Sequence, residues 1–151
     1  MISLRKPWLT CFAVSSVSRS ACDPSLTVTS FEPGKVKVNT HCYEATDIAA
    51  MIRHTNEFKF TLAALHHAHE AYLVPDLLKT AWNHTPAVAL FATQARYKRE
   101  AWRGSDYAPR ILAAENITVI MKSDHPVLDS RFLMFEAQQA RNVAAVLLSD
   151  R

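Results

Sequence analysis

Histidine and acidic side chains gather in three short polar segments of the sequence, which hold five of its seven histidines. The residues concerned are His41 with Cys42, then His66, His67, His69 and Glu70, and finally Asp124 with His125. Neutral imidazoles and a carboxylate are the ligands that zinc takes in catalytic sites, where one further position stays open for water. The metal lowers the pKa of that water towards about 7, and a neighbouring carboxylate can accept its proton. If the three segments meet in space, they predict a divalent metal centre, with zinc as the expected ion.

Two other interpretations of these residues stay open. Histidines at strand ends can form hydrogen bonds with backbone carbonyls instead of binding a metal. His67 and His69 are two positions apart and could also form a pair on one face of a single strand, with Glu70 as a candidate base.

Four β-rich runs alternate with four stretches of helical periodicity. The runs cover residues 35–40, 60–65, 87–91 and 118–121. Helices are expected from Thr46 and Asp47, which would cap the first one, from Pro75, over residues 107–115, and from Ser130. Strand followed by helix, repeated about every 25–30 residues, implies parallel strands joined by right-handed crossovers. The predicted fold class is therefore α/β.

The predicted strands place the polar segments at one end of the sheet. In α/β folds, ligands bind beyond the carboxyl ends of parallel strands, which is where the three segments fall. Side-chain alternation puts His41 on the face of its strand opposite the helices. It also puts Lys122 and Asp124 on the face opposite Val119 and Met121. Polar groups would then point to the interior of a barrel, with a site at its rim.

Composition limits the domain count and the class of ligand. A chain of 151 residues, 49% apolar and 21% charged, fits one globular domain, which we assign to residues 35–151. Residues 1–34 are rich in Ser, Thr and Pro and are predicted to form a poorly ordered extension. The only glycines are Gly34 and Gly104, which excludes the glycine-rich dinucleotide fingerprint, the P-loop and the glycine-flanked nucleophile elbow.

Charge and hydropathy argue against nucleic-acid and membrane partners. The net charge is only +3, and one dense basic cluster interleaves with two aromatic residues: Arg96, Tyr97, Lys98, Arg99, Trp102 and Arg103. No nucleic-acid module surrounds this cluster, so a solvated surface is the simpler interpretation and no nucleic-acid partner is predicted. No run of 18 apolar residues exists, so no membrane span is predicted. The first 22 residues lack acids, which is compatible with a targeting leader, although a cytoplasmic location is the expectation.

Residues from about 35 to 139 resemble the carboxyl-terminal half of an amidohydrolase-superfamily barrel, of the imidazolonepropionase-like subgroup. The resemblance rests, in order, on VKVNTHCYEATDI, FTLAALHHAHEAYLVPDLL, FATQARYKRE with YAPRILAAENITVIMKSDHP, and SRFLMFEAQQA. The SDHP and H-x-x-E-A-Y elements are its most specific parts. The resemblance implies strands 5–8 of a (β/α)8 TIM-type barrel, and hence a partial barrel of about four βα units.

The resemblance also implies a metal-dependent hydrolase of amide or cyclic amide C–N bonds, with a small-molecule substrate. By motif, His41 resembles the metal histidine after the family's fifth strand, and His67 resembles the one after the sixth. Asp124 resembles the aspartate after the eighth strand, which binds metal or accepts the proton of the hydrolytic water. The expected substrate contacts are His125, Arg96 and Tyr72.

One feature of the family has no counterpart in this chain. The family's H-x-H pair after its first strand is missing, because no histidine precedes His41. A second interpretation is therefore a catalytically inactive pseudo-hydrolase fragment that acts as a binding or assembly module. The open edges of a half-barrel would favour a second copy or a complementary half-barrel as its partner.

Overall fold

The computed structural model describes residues 38–91 and 96–149, where four parallel strands alternate with four α-helices. The strands are β1 (Val38–Cys42), β2 (Leu62–His67), β3 (Ala87–Leu90) and β4 (Val119–Met121). The helices are α1 (Ala45–Phe58), α2 (Pro75–Leu78), α3 (Ala108–Ala114) and α4 (Leu133–Ser149). The prediction of an α/β fold is confirmed. The predicted extension of residues 1–34 lies outside the described residues.

The sheet has the order β1-β2-β3-β4, so each strand pairs with the one that follows it in the chain. All three pairings are parallel. This order of βα units matches four consecutive units of a (β/α)8 barrel, as expected. A register shift between Val38 and Asn39 is the single irregularity in the pairing of β1 with β2.

The core lies between the sheet and the helices. Apolar residues at helical spacing supply one side of it, because Ile48 and Ile52 of α1 and Leu112 of α3 are fully buried. The strands supply the other side with short aliphatic side chains such as Leu65 and Val88. Fully burying each such side chain stabilises the fold by about 1.5–3 kcal/mol, and this burial holds the sheet and the helices together.

Helix α1 begins differently from the prediction. Thr46 and Asp47 were expected to cap it, but the N-cap residue is Glu44, which makes no capping bond with its own side chain. The carboxylate of Glu70, from the segment after β2, instead accepts a hydrogen bond from the backbone N–H of Ala45 at 3.0 Å. An acceptor from a distant segment satisfies this end of the helix, so local capping residues are not required.

Helix α2 is a single turn, shorter than its periodicity suggests. Pro75 stands in the first turn as expected, but the helix ends at Leu78 and the chain continues through turns. Leu78 and Ala81 are buried all the same, while Val74 and Leu77 pack against the core from its border. The helix predicted from Pro75 is therefore present, but it extends over one turn only.

No helix within the described ranges combines the length and the apolar character needed to cross a membrane.

Candidate active site at the carboxyl ends of the strands

Side chains from three strand ends meet at one rim of the sheet. His67 ends β2, and its Nε2 atom lies 2.9 Å from Nδ1 of His41 in β1. The same Nε2 atom lies 3.9 Å from Oδ2 of Asp124, which follows β4. The three residues expected to form the metal centre are therefore brought together, with His67 in the middle. The carboxyl ends of parallel strands share one edge of the sheet, which is why residues up to 83 positions apart can meet here.

The backbone turns His67 into this cluster. The register pairs His67 with Cys42, whose side chain is buried in the core, and strand alternation would send both to that side. His67 instead has a φ of 69°, and Ala68 has a φ of 25°. Left-handed backbone at a residue other than glycine costs about 1–3 kcal/mol and persists where surrounding structure holds it. Backbone bonds from Ala68 N to Cys42 O (2.8 Å) and from Glu70 N to Tyr43 O (3.2 Å) hold this turn.

A buried lysine completes the cluster. Lys122 has only 6% of its surface exposed, and its Nζ lies 3.4 Å from Nε2 of His67. Its ammonium also donates to Oδ1 of Asp124 at 3.3 Å and lies 4.8 Å from the centre of the Phe91 ring. Strand alternation predicts the face on which Lys122 lies, although Lys122 is not among the predicted site residues. The signal was available, because a lysine directly after a strand of apolar residues has to find a partner when it is buried.

The contact with Lys122 is a hydrogen bond in only one tautomer of His67. An ammonium group can only donate, so it forms a hydrogen bond with Nε2 only where that nitrogen carries a lone pair. The ring proton is then on Nδ1, which is buried and has no hydrogen-bond partner. Leaving this N–H unpaired costs about 1–3 kcal/mol. In that tautomer the lone pair at Nε2 of His67 points into the cluster, which is the arrangement that binding of a cation requires.

Burial lowers the pKa of three histidines of this rim, His66, His67 and His69. Desolvation lowers the pKa of His67 to about 3, and the nearby charge of Lys122 acts in the same direction. The pKa of His69 is lowered to about 4 for the same two reasons. Burial and Lys122 also lower the pKa of His66, whose ring stacks on that of His41 with an interplanar angle of 8°. Neutral imidazole is the form that binds metal ions.

Asp124 remains ionised and reaches solvent. Its partial burial opposes ionisation, but the charge and the hydrogen bond of Lys122 outweigh this effect and lower the pKa of Asp124 overall. About a third of the side chain is exposed (32%). A carboxylate that is ionised and open to water can accept a proton from a water molecule at neutral pH.

Aromatic rings line the inner part of the site. The Tyr43 ring stacks on His67 with centroids 4.7 Å apart and an interplanar angle of 12°. Phe91, which follows β3, lies 5.5 Å from His67 and 6.1 Å from His69. The hydroxyl of Tyr43 accepts a hydrogen bond from Lys98, which raises the pKa of that lysine. These rings give the cluster an apolar wall, which explains why the histidines are so strongly desolvated.

The alternative pairing of His67 with His69 on one strand is wrong, because β2 ends at His67. His69 lies in the turn that follows, with its ring centroid 6.4 Å from that of His67. Glu70, the candidate base of that alternative, is buried and bonds the start of α1, and its other oxygen is 3.6 Å from Arg103 Nε. Its role here is structural.

The three expected substrate contacts lie around the cluster. His125 directly follows Asp124, with a side chain 60% exposed, and faces Asp129 at 3.9 Å. The hydroxyl of Tyr72 donates to the backbone oxygen of Arg103 at 2.8 Å. Arg96 forms an ion pair with Asp106. Each of these side chains has a partner within the protein. Within the described residues, none of the three forms a hydrogen bond or an ion pair with His41, His67 or Asp124.

Imidazole nitrogens and a carboxylate are suitable ligands for a divalent ion, but in this cluster only pairs of them lie at a suitable distance from each other. Ligands at about 2.0–2.2 Å from a tetrahedral ion are about 3.3–3.6 Å apart, and the separations of 2.9 and 3.9 Å around His67 lie on either side of that range. No group of three or more His, Cys, Asp or Glu residues in the described ranges surrounds a common point. His67 thus pairs with either partner at roughly ligand spacing, while the set of three is not closed.

Comparison with known proteins relates this chain to one group of enzymes. It is 45% identical to the protein named Amidohydrolase tasK of Hapsidospora irregularis over 105 residues, and this match covers 69% of the chain. The crystal structure of an amidohydrolase from Thermotoga maritima MSB8 is also similar, with a TM-score of 0.63 and 25% identity over 72% of this chain. No protein-family model matches the chain. The chain spans 11% of the first of these proteins and 27% of the second.

Proposed function

The matched part of this chain belongs to the amidohydrolase superfamily, and from that premise we propose that it forms the hydrolytic rim of a metal-dependent hydrolase. The proposed reaction is hydrolysis of a C–N bond other than a peptide bond, in a small-molecule amide or cyclic amide. The observation that carries the proposal is the meeting of His41, His67 and Asp124 at the carboxyl ends of β1, β2 and β4. That edge is where barrel enzymes hold their active sites.

His41, His67 and Asp124 are the residues that would hold a divalent ion, with zinc as the expected metal. A bound ion would supply Lewis acidity, which polarises a carbonyl and makes water acidic near pH 7. The lone pair at Nε2 of His67 and the low pKa of that ring, about 3, support this assignment. Both mean that no proton has to be removed from His67 before it binds a cation.

Asp124 is the proposed proton acceptor of the reaction. Its ionised and partly exposed carboxylate takes a proton from the attacking water and returns it to the leaving nitrogen. The Tyr43 and Phe91 rings keep the inner side of the site dry, which strengthens electrostatic interactions with the substrate. His125, Arg96 and Tyr72 remain the proposed substrate contacts, and a substrate would have to displace Arg96 from Asp106 to use it.

Metal analysis and hydrolysis assays test this proposal together. The purified protein is expected to bind zinc and to hydrolyse members of a panel of N-acyl and cyclic amides. Asp124→Asn should lower kcat by about 10²–10⁴-fold, and His41→Ala should abolish zinc binding. His54→Ala removes an exposed histidine from α1 and serves as the matched control. Wild-type protein without zinc, or His41→Ala with unchanged activity, would refute the mechanism.

A second function is favoured by one specific observation. The ligand set around His67 is not closed within the described part of the chain, so the site would be completed by groups from outside it. On this alternative, the chain is a binding or assembly module that associates with a second copy or with a complementary half-barrel. Its test is the state of association, since a protein that stays monomeric would contradict association with a second copy.

A further inference from the structure

Lys98 belongs to the basic cluster of the sequence, but the structure places its side chain at the rim of the candidate active site. Its Nζ donates a hydrogen bond to the Tyr43 hydroxyl at 3.0 Å and lies 5.2 Å from the centre of that ring. The Tyr43 ring stacks on His67, whose low pKa is due mainly to burial and is lowered further by the charge of Lys98. The ammonium of Lys98 therefore faces the residues of the candidate site.

No carboxylate of the described residues lies within ion-pair distance of Lys98. Its neighbours in the basic cluster differ in this respect, because Arg96 pairs with Asp106 and Arg103 lies 3.6 Å from Glu70. The hydrogen bond of Lys98 goes instead to a neutral hydroxyl. Its positive charge is therefore available to an anionic ligand.

The other charges around His67 compensate each other. Lys122 pairs with Asp124, whose Oδ1 lies 3.3 Å from the lysine Nζ. His67 and His69 carry no charge near pH 7, because burial and, to a smaller extent, the nearby lysines lower their pKa values to about 3 and about 4. In this part of the described structure a positive charge remains, and it is that of Lys98.

The Tyr43 hydroxyl is a second donor beside this charge. Its oxygen accepts the hydrogen bond from Lys98, and its own proton has no acceptor among the residues that the structure describes. Both side chains are partly exposed, so a ligand can reach them from solvent. Because Nζ and the hydroxyl oxygen are 3.0 Å apart, both can donate to one small oxyanion, and such charge-assisted hydrogen bonds are strong.

We propose that Lys98 and Tyr43 form a subsite for a carboxylate group, so that the site takes small amides that carry one carboxylate. A carboxylate fits better than a phosphate group, because phosphate carries about 1.5–2 negative charges at pH 7 and faces a single uncompensated ammonium. This inference rests on the proposed function only in calling the ligand a substrate. Binding of the anionic group itself requires neither catalysis nor a metal.

Two matched pairs of compounds test the subsite with the complete chain. Each pair differs by one charge: pyroglutamate with pyroglutamamide, and N-acetylglycine with N-acetylglycinamide. Dissociation constants would be measured by titration with saturation-transfer NMR. The wild type is expected to bind the carboxylate of each pair about 10–100-fold more tightly than the amide, as for a hydrogen bond to a charged group. This preference should decrease with added salt.

Three variants assign the preference to the two donors. Lys98→Met removes the charge and should bring the two affinities of each pair close together, whereas Lys98→Arg keeps the charge and should keep the preference. Tyr43→Phe keeps the ring on His67 but removes the hydroxyl, and should weaken carboxylate binding by about 3–10-fold. Lys79→Met removes a surface lysine that pairs with Glu115 and Asp76, and it should leave both affinities unchanged.

Labelling of the wild-type protein provides a measurement that does not depend on the folding of any variant. Pyroglutamate should slow the acetylation of Lys98 by an amine-reactive reagent, read by peptide mass spectrometry, and pyroglutamamide should not. Acetylation of Lys59, which is exposed, is the internal reference.

The outcomes distinguish this inference from the proposed function. Equal affinities within each pair, no binding of any of the four compounds, or a preference that survives Lys98→Met overturns the subsite. Inorganic phosphate that binds more tightly than both carboxylates overturns the assignment to a carboxylate. Hydrolysis of neutral amides without preference for carboxylates keeps the proposed function alone. Carboxylate binding that requires Lys98, in a protein that hydrolyses no amide, keeps the subsite and overturns the proposed function.

Discussion

His67 and His69 are neutral in the folded protein because burial lowers their pKa values to about 3 and about 4. In the unfolded chain their pKa is near 6.5, so the unfolded state binds more protons between about pH 6.5 and pH 4. The free energy of unfolding therefore falls as the pH falls through this window. Above about pH 6.5 both residues are neutral in both states, so they no longer make the free energy of unfolding depend on pH. Single buried rings thus make the stability of the protein sensitive to acid.

His69→Leu tests this dependence in metal-free protein. Removing the ring takes away one group that gains a proton on unfolding, so the slope of unfolding free energy against pH should decrease by up to about 1.4 kcal/mol per pH unit. Urea denaturation between neutral pH and pH 4 measures the slope. His54→Leu, on the exposed surface of α1, is the control for the loss of a histidine. A slope equal to that of the wild type in His69→Leu would contradict the prediction.

The sequence allows the site residues to be predicted, but not the directions of their side chains. The three segments that hold His41, His67 and Asp124 follow from the positions of the strand ends, and the choice of these three residues within the segments follows from the resemblance to the amidohydrolase superfamily. The direction of His67 does not follow, because its left-handed backbone reverses the side that alternation predicts. Lys122 was placed on the correct face, but only three-dimensional contacts show that its ammonium lies against His67 and Asp124.

At the scale of elements, the strands were predictable and the helix ends were not. The β-rich runs became strands within a few residues of their expected positions, because alternating burial is a local signal. The start of α1 depends on Glu70, more than twenty positions further along, which no local pattern of capping residues can reveal. Its end is unusual as well, because Lys59 adopts the left-handed conformation, with a φ of 55°, in a position that favours glycine.

The residue after α1 offers a test of this strain. Lys59→Gly and Lys59→Ala both remove the contact of the lysine Nζ with the Trp82 ring, at 4.2 Å, so their difference isolates the backbone. The glycine variant should be about 1–2 kcal/mol more stable than the alanine variant, because only alanine has a Cβ that opposes a positive φ. Thermal and urea unfolding measure the difference. Equal stability would show that this residue changes its conformation once the lysine is removed.

At the scale of the whole molecule, the sheet has two open sides. Within the described ranges, β1 pairs with β2 alone and β4 pairs with β3 alone, whereas strands in a complete barrel have two neighbours each. Open edges favour association with further strands. The half-barrel was expected from the resemblance to a known family, since local patterns indicate βα units but do not fix how many complete the sheet.

Sedimentation at increasing protein concentration tests this property. We expect the average mass to rise above that of one chain, because the free edges of β1 and β4 can pair with a second copy. Thr118→Lys places a charge on an exposed residue beside β4 and should weaken the association. Thr46→Lys, at an exposed position on α1, is the matched control. A monomeric mass at all concentrations would rule out self-association and, with it, the assembly module formed by two copies.

The order of the strands has a consequence for how the protein is made. Each strand pairs with its successor, so a chain emerging from the ribosome can add one βα unit at a time to the sheet already formed. His41 and His67 meet once β2 has joined β1, but Asp124 joins them only after β4 has docked. A nascent chain therefore exposes a pair of histidines before the carboxylate and Lys122 arrive.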